Sequence, residues 1–247
     1  MKNKLPRPLL TLIAIVFWIS VWQIGALIVG DKYFLPDIPT TFSALFRILK
    51  KASFYTAVLA TLARVVAGLL LGTILGIILA VLSYKSSVIK AIVSPVILVI
   101  KSTPVASFII LLWIVLHGTL LPVFVAVLMV MPIIWQNTLD AYGGISKNLT
   151  EVCDVFEMPR RKRAKLLVFP ALIKYLIPAF ITSCGLAWKS EIAAEIIAYT
   201  TRSIGQHISD AKYDFDTPAV FALTIVVILM SIALEKGASR LIKRIKI

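Results

Sequence analysis

The sequence is short of acid and has very little cysteine or histidine. Its 247 residues include 12 Asp and Glu against 26 Lys and Arg, with 2 Cys and 2 His. Cys153 and Cys184 form no CxxC pair and have no histidines at ligand spacing, which argues against a disulfide framework or a zinc site. Both are expected as free thiols, and no metal or catalytic residue is assigned. The chain has no G-x-x-x-x-G-K-[ST] phosphate loop, so a nucleotide site of that kind is excluded here. Charged residues make up only 15%, against roughly 25% in ordinary soluble domains.

What the sequence does have is apolar length. Hydrophobic residues are 60% of the chain, and the mean hydropathy of +0.95 marks an integral membrane protein. The net charge of +14 could serve nucleic acid, but the Lys and Arg residues gather at the ends of apolar runs. No basic amphipathic face with interleaved aromatics is present, so membrane topology explains the charge better. The basic opening resembles a signal peptide, yet its apolar run is about twenty residues long and has no small-residue cleavage site. It is read as a retained first span.

Apolar runs at residues 9–29, 57–83, 89–116, 120–139, 172–199 and 218–234 are each long enough to cross a hydrocarbon core of roughly 30 Å. The expected fold is all-α, a single transmembrane domain of six helices over residues 1–247. Pro104 interrupts the third run and biases Thr103 away from helical geometry, so a kink or break is expected there. An even number of spans puts both termini on one side. Placing them in the cytoplasm gives 17 Lys and Arg inside, among them Lys2, Lys4 and Lys246, against 6 outside. Phe42, Leu45, Phe46 and Leu49, at three-to-four spacing, predict either an amphipathic helix at the outer surface or a helix that merely leads the chain into the second span.

On this topology residues 141–171 form a cytoplasmic connection long enough to carry function. Within it, Leu149, Val152, Val155 and Phe156 share a helical face, with Thr150 as N-cap and Glu151 and Asp154 near the positive end of the dipole. The following run RRKRAK is expected at the lipid headgroups.

The stretch 151–170, EVCDVFEMPRRKRAKLLVFP, resembles the coupling-loop motif of permeases of binding-protein-dependent ABC importers. Glu151 matches the motif's Glu, Val152 and Cys153 its two Ala positions, and Pro170 its closing proline, with the motif's spacing. Glu157 stands where the family has glycine. Glycine tolerates positive φ and allows a sharp turn; with Glu157 the helix is expected to run on to Met158 and to be stopped by Pro159. Further segments are similar to permeases for nitrate, taurine and aliphatic sulfonates: TLARVVAGLLLGTILGIILAVLS (61–83), STPVASFIILLWIVLHG (102–118), GLAWKSEIAAEIIA (185–198) and SIGQHISDA (203–211). The similarity covers about residues 10–241.

The resemblance implies a non-catalytic permease subunit in a bacterial cytoplasmic membrane. It also implies a two-fold permease dimer, two ATPase subunits that bind the ATP and Mg and each grip one coupling helix, and an extracytoplasmic solute-binding protein. The coupling residues on this reading are Glu151, Val152, Cys153, Asp154, Glu157, Met158 and Pro170. The implied solute is small and polar or anionic.

Inside the spans, Gly68, Gly72 and Gly76 repeat every four residues and allow close helix approach, within one subunit or across a dimer. Arg64 is expected to snorkel toward headgroups or a loop carboxylate. Charge at mid-membrane costs at least about 2.5–3.5 kcal/mol on insertion scales, so Lys101, Glu191 and Glu195 should face a cavity or one another. One reading lines the translocation path with Lys101, Ser102, Thr103, Pro104, Trp188, Glu191 and Glu195. The other pairs Lys101 with one glutamate as a register-fixing ion pair. In the resembling family an acidic residue is common at the Glu195 position, whereas Lys101, Lys189 and Glu191 are particular to this chain. Trp113, Trp135 and Trp188 also suit ordinary packing. The competing function is an ion-coupled transporter using Lys101, Glu191 and Glu195; the absence of an inverted repeat and the coupling-loop spacing disfavour it.

Overall fold

The structure is a computed structural model that describes residues 6–244; Lys2, Lys4 and Lys246 of the charge pattern lie outside the described residues. Among the described residues the regular structure is helical and there is no strand. The chain divides into two compact units, residues 1–56 with 207–228 and residues 57–206 with 229–247.

The first unit contains α1 (Arg7–Val29), α2 (Ile38–Leu49), the start of α3 (Ala52–Lys85), most of α10 (Ile204–Tyr213) and the first part of α11 (Thr217–Arg244). α1 ends on Gly30 at φ 66°, where the absent Cβ permits a left-handed cap. The Trp22 indole donates to the Pro36 carbonyl at 3.0 Å, and the Ile38 N–H donates to Gln23 Oε1 at 3.1 Å, so the entry to α2 hangs on α1. Asp37 caps α2. The Thr40 hydroxyl and then the Thr40 N–H donate to its carboxylate and hold its pKa below the ordinary value. Thr41 and Ala44 are the buried positions of α2, while Phe42 and Phe46 are exposed. Of the predicted apolar stripe, Phe42 and Phe46 face outward, while Leu45 and Leu49 are half-buried beside the small residues that pack on the protein. A helix at a membrane surface can turn its large apolar residues outward, and small residues let it pack closely on the inner side.

The second unit holds the remainder of α3, then α4 (Ser87–Ser102), α5 (Val105–Trp113), α6 (Leu120–Gly143), α7 (Lys147–Val155), α8 (Arg160–Arg163), a π-helical turn (Ala164–Val168) and α9 (Phe169–Ile197). Gly68, Gly72 and Gly76 lie against α6. A Cβ on Gly72 would stand 2.8 Å from Val130 Cβ and 3.1 Å from the Val127 carbonyl, and one on Gly76 would stand 2.8 Å from the Met131 carbonyl. The small stripe thus packs α3 on α6 within the chain. α6 also packs along α9. Ile109, Leu121, Val125 and Ala194 join α5, α6 and α9, and Ala80, Ile97 and Trp135 join α3, α4 and α6.

Among the described residues, five helical stretches are long and apolar enough to cross a membrane: Pro8–Val29, Ala52–Lys85, Leu120–Gly143, Arg160–Ile197 and Thr217–Arg240. The third predicted run, residues 89–116, is broken. α4 and α5 meet at 104°, and their 16 and 9 residues are about 24 and 14 Å long at 1.5 Å per residue, each short of a full crossing. Thr103 sits at φ −83°, ψ 132°, the extended geometry that Pro104 imposes on its predecessor. The Thr103 N–H and hydroxyl both return to the Val99 carbonyl, at 3.0 and 2.8 Å, which closes the end of α4.

Candidate functional site: an exposed loop helix and a broken intramembrane helix

α7 occupies the connection singled out in the sequence. It begins after Ser146, so Thr150 is not its N-cap; the Thr150 hydroxyl donates instead to the Ser146 carbonyl at 3.2 Å. Glu151 therefore lies mid-helix and Asp154 in the last turn, away from the positive end of the dipole. Asp154 pairs with Arg163 Nη1 at 2.6 Å. Leu149, Val152, Val155 and Phe156 are all exposed, the last two at 79% and 75%, whereas Cys153 is buried. The helix thus presents an apolar ridge outward, with the exposed Glu151 beside Val152.

The end of α7 corrects the expectation for Glu157. The helix stops at Val155 rather than Met158, and Glu157 takes φ 44°, the left-handed region that glycine would occupy. The Met158 N–H reaches the Cys153 carbonyl at 2.9 Å and the Glu157 N–H reaches the Asp154 carbonyl at 3.1 Å, the two bonds of a Schellman cap. Cys153 Sγ lies 3.7 Å from Met158 Sδ, the apolar contact that accompanies such caps. These bonds satisfy carbonyls that another residue of helix, cut off by Pro159, would leave open.

Pro170 stands in the first turn of α9, but α9 does not start the helical stretch. Residues Arg160–Ile197 form one apolar helical stretch that begins with the basic run. Proline lacks an N–H and its ring crowds the carbonyl four residues back. One π-turn before it, in which the Phe169 N–H reaches the Ala164 carbonyl, shifts the ladder so the helix continues past Pro170.

Deeper in the second unit, Arg64 is 8% exposed and does not snorkel. Its Nε lies 3.1 Å from Glu191 Oε1 and 3.1 Å from Glu195 Oε1, and its Nη2 pairs with Glu195 and donates to the Arg202 carbonyl at 3.3 Å. The Thr61 hydroxyl donates to Glu195 Oε1 at 2.8 Å and accepts the Ile204 N–H at 3.1 Å; Glu195 Oε2 accepts the Gly205 N–H at 3.0 Å. One carboxylate thus ties α3, α9 and the N-terminus of α10, where a negative group suits the helix dipole. A Cβ on Gly205 would strike Glu195, so glycine is required for this approach. Glu191, Glu195 and Trp188 are fully buried. The expected pairing of Lys101 with a glutamate is not formed, because Arg64 takes both.

Lys101, Ser102 and Pro104 are exposed at the break, and Thr103 is half-buried. Lys101 lines a cavity of about 630 Å³ between α4, α6 and the start of α9, with Ile97 and Trp135 among its apolar lining. Sequence reasoning missed the polar partners in this lining, Lys90, Gln136, Asp140 and Tyr175. The available signal was spacing, since Lys90, Ser94 and Lys101 recur on one face of α4. Gly144 leaves room for Tyr175, whose hydroxyl would lie 2.7 Å from a Cβ there.

The profile of the family described as binding-protein-dependent transport system inner membrane component matches residues 72–247. The chain belongs to this family. The match contains the broken α4–α5 pair, α7 and the Glu191/Glu195 face of the permease. Its fold is that of type I ABC importer permeases. It resembles a chain of the methionine ABC transporter MetNI in an inward-facing conformation, with a TM-score of 0.66 and 13% identity over 79% of this chain and 97% of that one. It also resembles a bacterial ABC transporter involved in import of the acidic polysaccharide alginate, with a TM-score of 0.65 and 16% identity over 96% and 95% of the two chains. At these identities the likeness is one of fold. No curated protein matches the permease in sequence.

Proposed function

We propose that this permease works as one transmembrane domain in a two-fold dimer, driven by two ATPase subunits that bind ATP and Mg and engage α7. A solute-binding protein delivers a small polar or anionic organic solute from the opposite side. The subunit lies in a bacterial cytoplasmic membrane with both termini in the cytoplasm and carries out no chemistry itself. Glu151, Val152, Cys153, Asp154, Glu157, Met158 and Pro170 form or support the coupling element. Lys101, Ser102, Thr103 and Pro104 line the path at the α4–α5 break. Trp188, Glu191 and Glu195 act from behind it by holding α9 to its neighbours.

The observation that carries this reading is α7 itself. An exposed apolar ridge beside a carboxylate, on a short helix closed by a Schellman cap and tied to α8 through Asp154–Arg163, is a compact handle. The continuous helix from Arg160 into α9 would carry its displacement into the membrane without a flexible joint. Closure of the ATPase pair would move both handles together, and alternating access would follow as rigid tilting around the path.

The test is co-purification of the ATPase subunit with the permease in detergent. Wild type is expected to retain it and Glu151→Arg to lose it, because the reversed charge faces the docking surface without disturbing any hydrogen bond of α7. Retention at wild-type level by Glu151→Arg would contradict the assignment of α7.

A further inference from the structure

The cavity between α4, α6 and α9 has a charge pattern that its volume alone does not explain. Its polar lining comprises Lys90, Ser94, Lys101, Gln136, Asp140 and Tyr175. Lys90 and Lys101 are eleven residues apart on α4, which brings them to within about 20° on the helix surface and separates them by about 16 Å along it. Among the described residues neither lysine has a carboxylate partner, since the ion pairs use Arg47, Arg64 and Arg163. Asp140, the one acid in the lining, accepts from the Gln136 amide at 3.0 Å instead. At about 630 Å³ the cavity falls within the roughly 300–1,000 Å³ of small-molecule sites.

We propose that this cavity is a cationic vestibule that selects a small organic anion, with Lys101 and Lys90 as successive rungs for its carboxylate or sulfonate. The proposal rests on the reading of the chain as a permease and adds the charge of its solute and the residues that read it. Lys101 lies at the α4–α5 break, where its ammonium meets the anion first. Lys90 stands three turns away in the first turns of α4 and takes the anion over as it moves along the groove. The Ser94 hydroxyl, between the two lysines, donates to the Lys90 carbonyl at 2.6 Å, which leaves its lone pairs to face the groove and disfavours a closer hold on the anion between the rungs. Asp140 keeps the vestibule from binding the anion too tightly to release it. A lysine held in a membrane segment without a counter-ion is costly, and an anionic passenger supplies that counter-ion transiently.

The test reads local charge without needing the natural solute or the ATPase. Ser94→Cys is introduced into a chain carrying Cys153→Ser and Cys184→Ala, both native thiols being buried, and the protein is placed in lipid nanodiscs. The reporter thiol is reacted with anionic 2-sulfonatoethyl methanethiosulfonate and with cationic 2-(trimethylammonium)ethyl methanethiosulfonate. The anionic reagent is expected to react faster. The anion-to-cation rate ratio should fall at least about tenfold in Lys101→Gln and in Lys90→Gln, the scale expected for one unit charge at cavity distances. Lys101→Arg should keep the ratio, which separates charge from misfolding. A ratio unchanged by either glutamine substitution, a faster cationic reagent, or no reaction with either reagent would overturn the proposal. None of these outcomes bears on whether the ATPase binds α7, so the vestibule and the permease reading fail independently.

Discussion

Glu157 shows how one residue can depart from a motif while the backbone keeps it. A left-handed conformation costs an ordinary residue roughly 1–2 kcal/mol, and Glu157 adopts it at φ 44° to complete the Schellman cap of α7. Its side chain is exposed, so a substitution would sacrifice little contact. Glu157→Gly is therefore expected to stabilise the solubilised protein by about 1 kcal/mol, read as a higher thermal midpoint with the ATPase still bound. A lower midpoint would mean that the Glu157 side chain holds the loop through contacts absent from this structure. At this scale sequence reasoning was uneven. The connection that carries α7 was identifiable by its length and spacing, but the helix ends were not, because caps depend on backbone bonds such as Met158 to Cys153 that no composition pattern shows. The partner of Arg64 was within reach of an argument from sign and depth. Glu195 lies two residues from the end of α9, level with the N-terminus of α10 beneath which Arg64 sits.

Among the elements, α3, α9 and α10 are joined by the Arg64, Glu191 and Glu195 cluster and α3 and α6 by the glycine stripe. Removing one partner of a buried ion pair leaves an uncompensated charge and costs about 3–5 kcal/mol. Arg64→Met should lower the thermal midpoint sharply, and adding Glu191→Gln and Glu195→Gln should recover much of the loss; a single Arg64→Met with unchanged stability would show that the cluster is solvated. The apolar helices were readable from hydropathy because length and apolarity suffice, to within a few residues for α1, α6 and α9. The 104° turn between α4 and α5 was foreseeable as a break at Thr103–Pro104 but not in size, which depends on what α5 packs against: Ile109 beside Leu121, Val125 and Ala194.

For the whole molecule, the family and fold place the chain among importer permeases, and α7 is the feature through which an outside motor could act on it. The helical stretch Arg160–Ile197 runs from beside α7 to the buried cluster, and is the route along which the proposed coupling would act. The most direct measurement is site-directed photo-cross-linking of Phe156→Cys, labelled with benzophenone-4-maleimide, to the ATPase subunit in the assembled complex. Phe156 is 75% exposed and both native thiols are buried, so the reporter is selective. The account predicts a covalent permease–ATPase product from Phe156→Cys and none from the same substitution at Ser94. A complex that holds the ATPase yet gives no product at position 156 would contradict it.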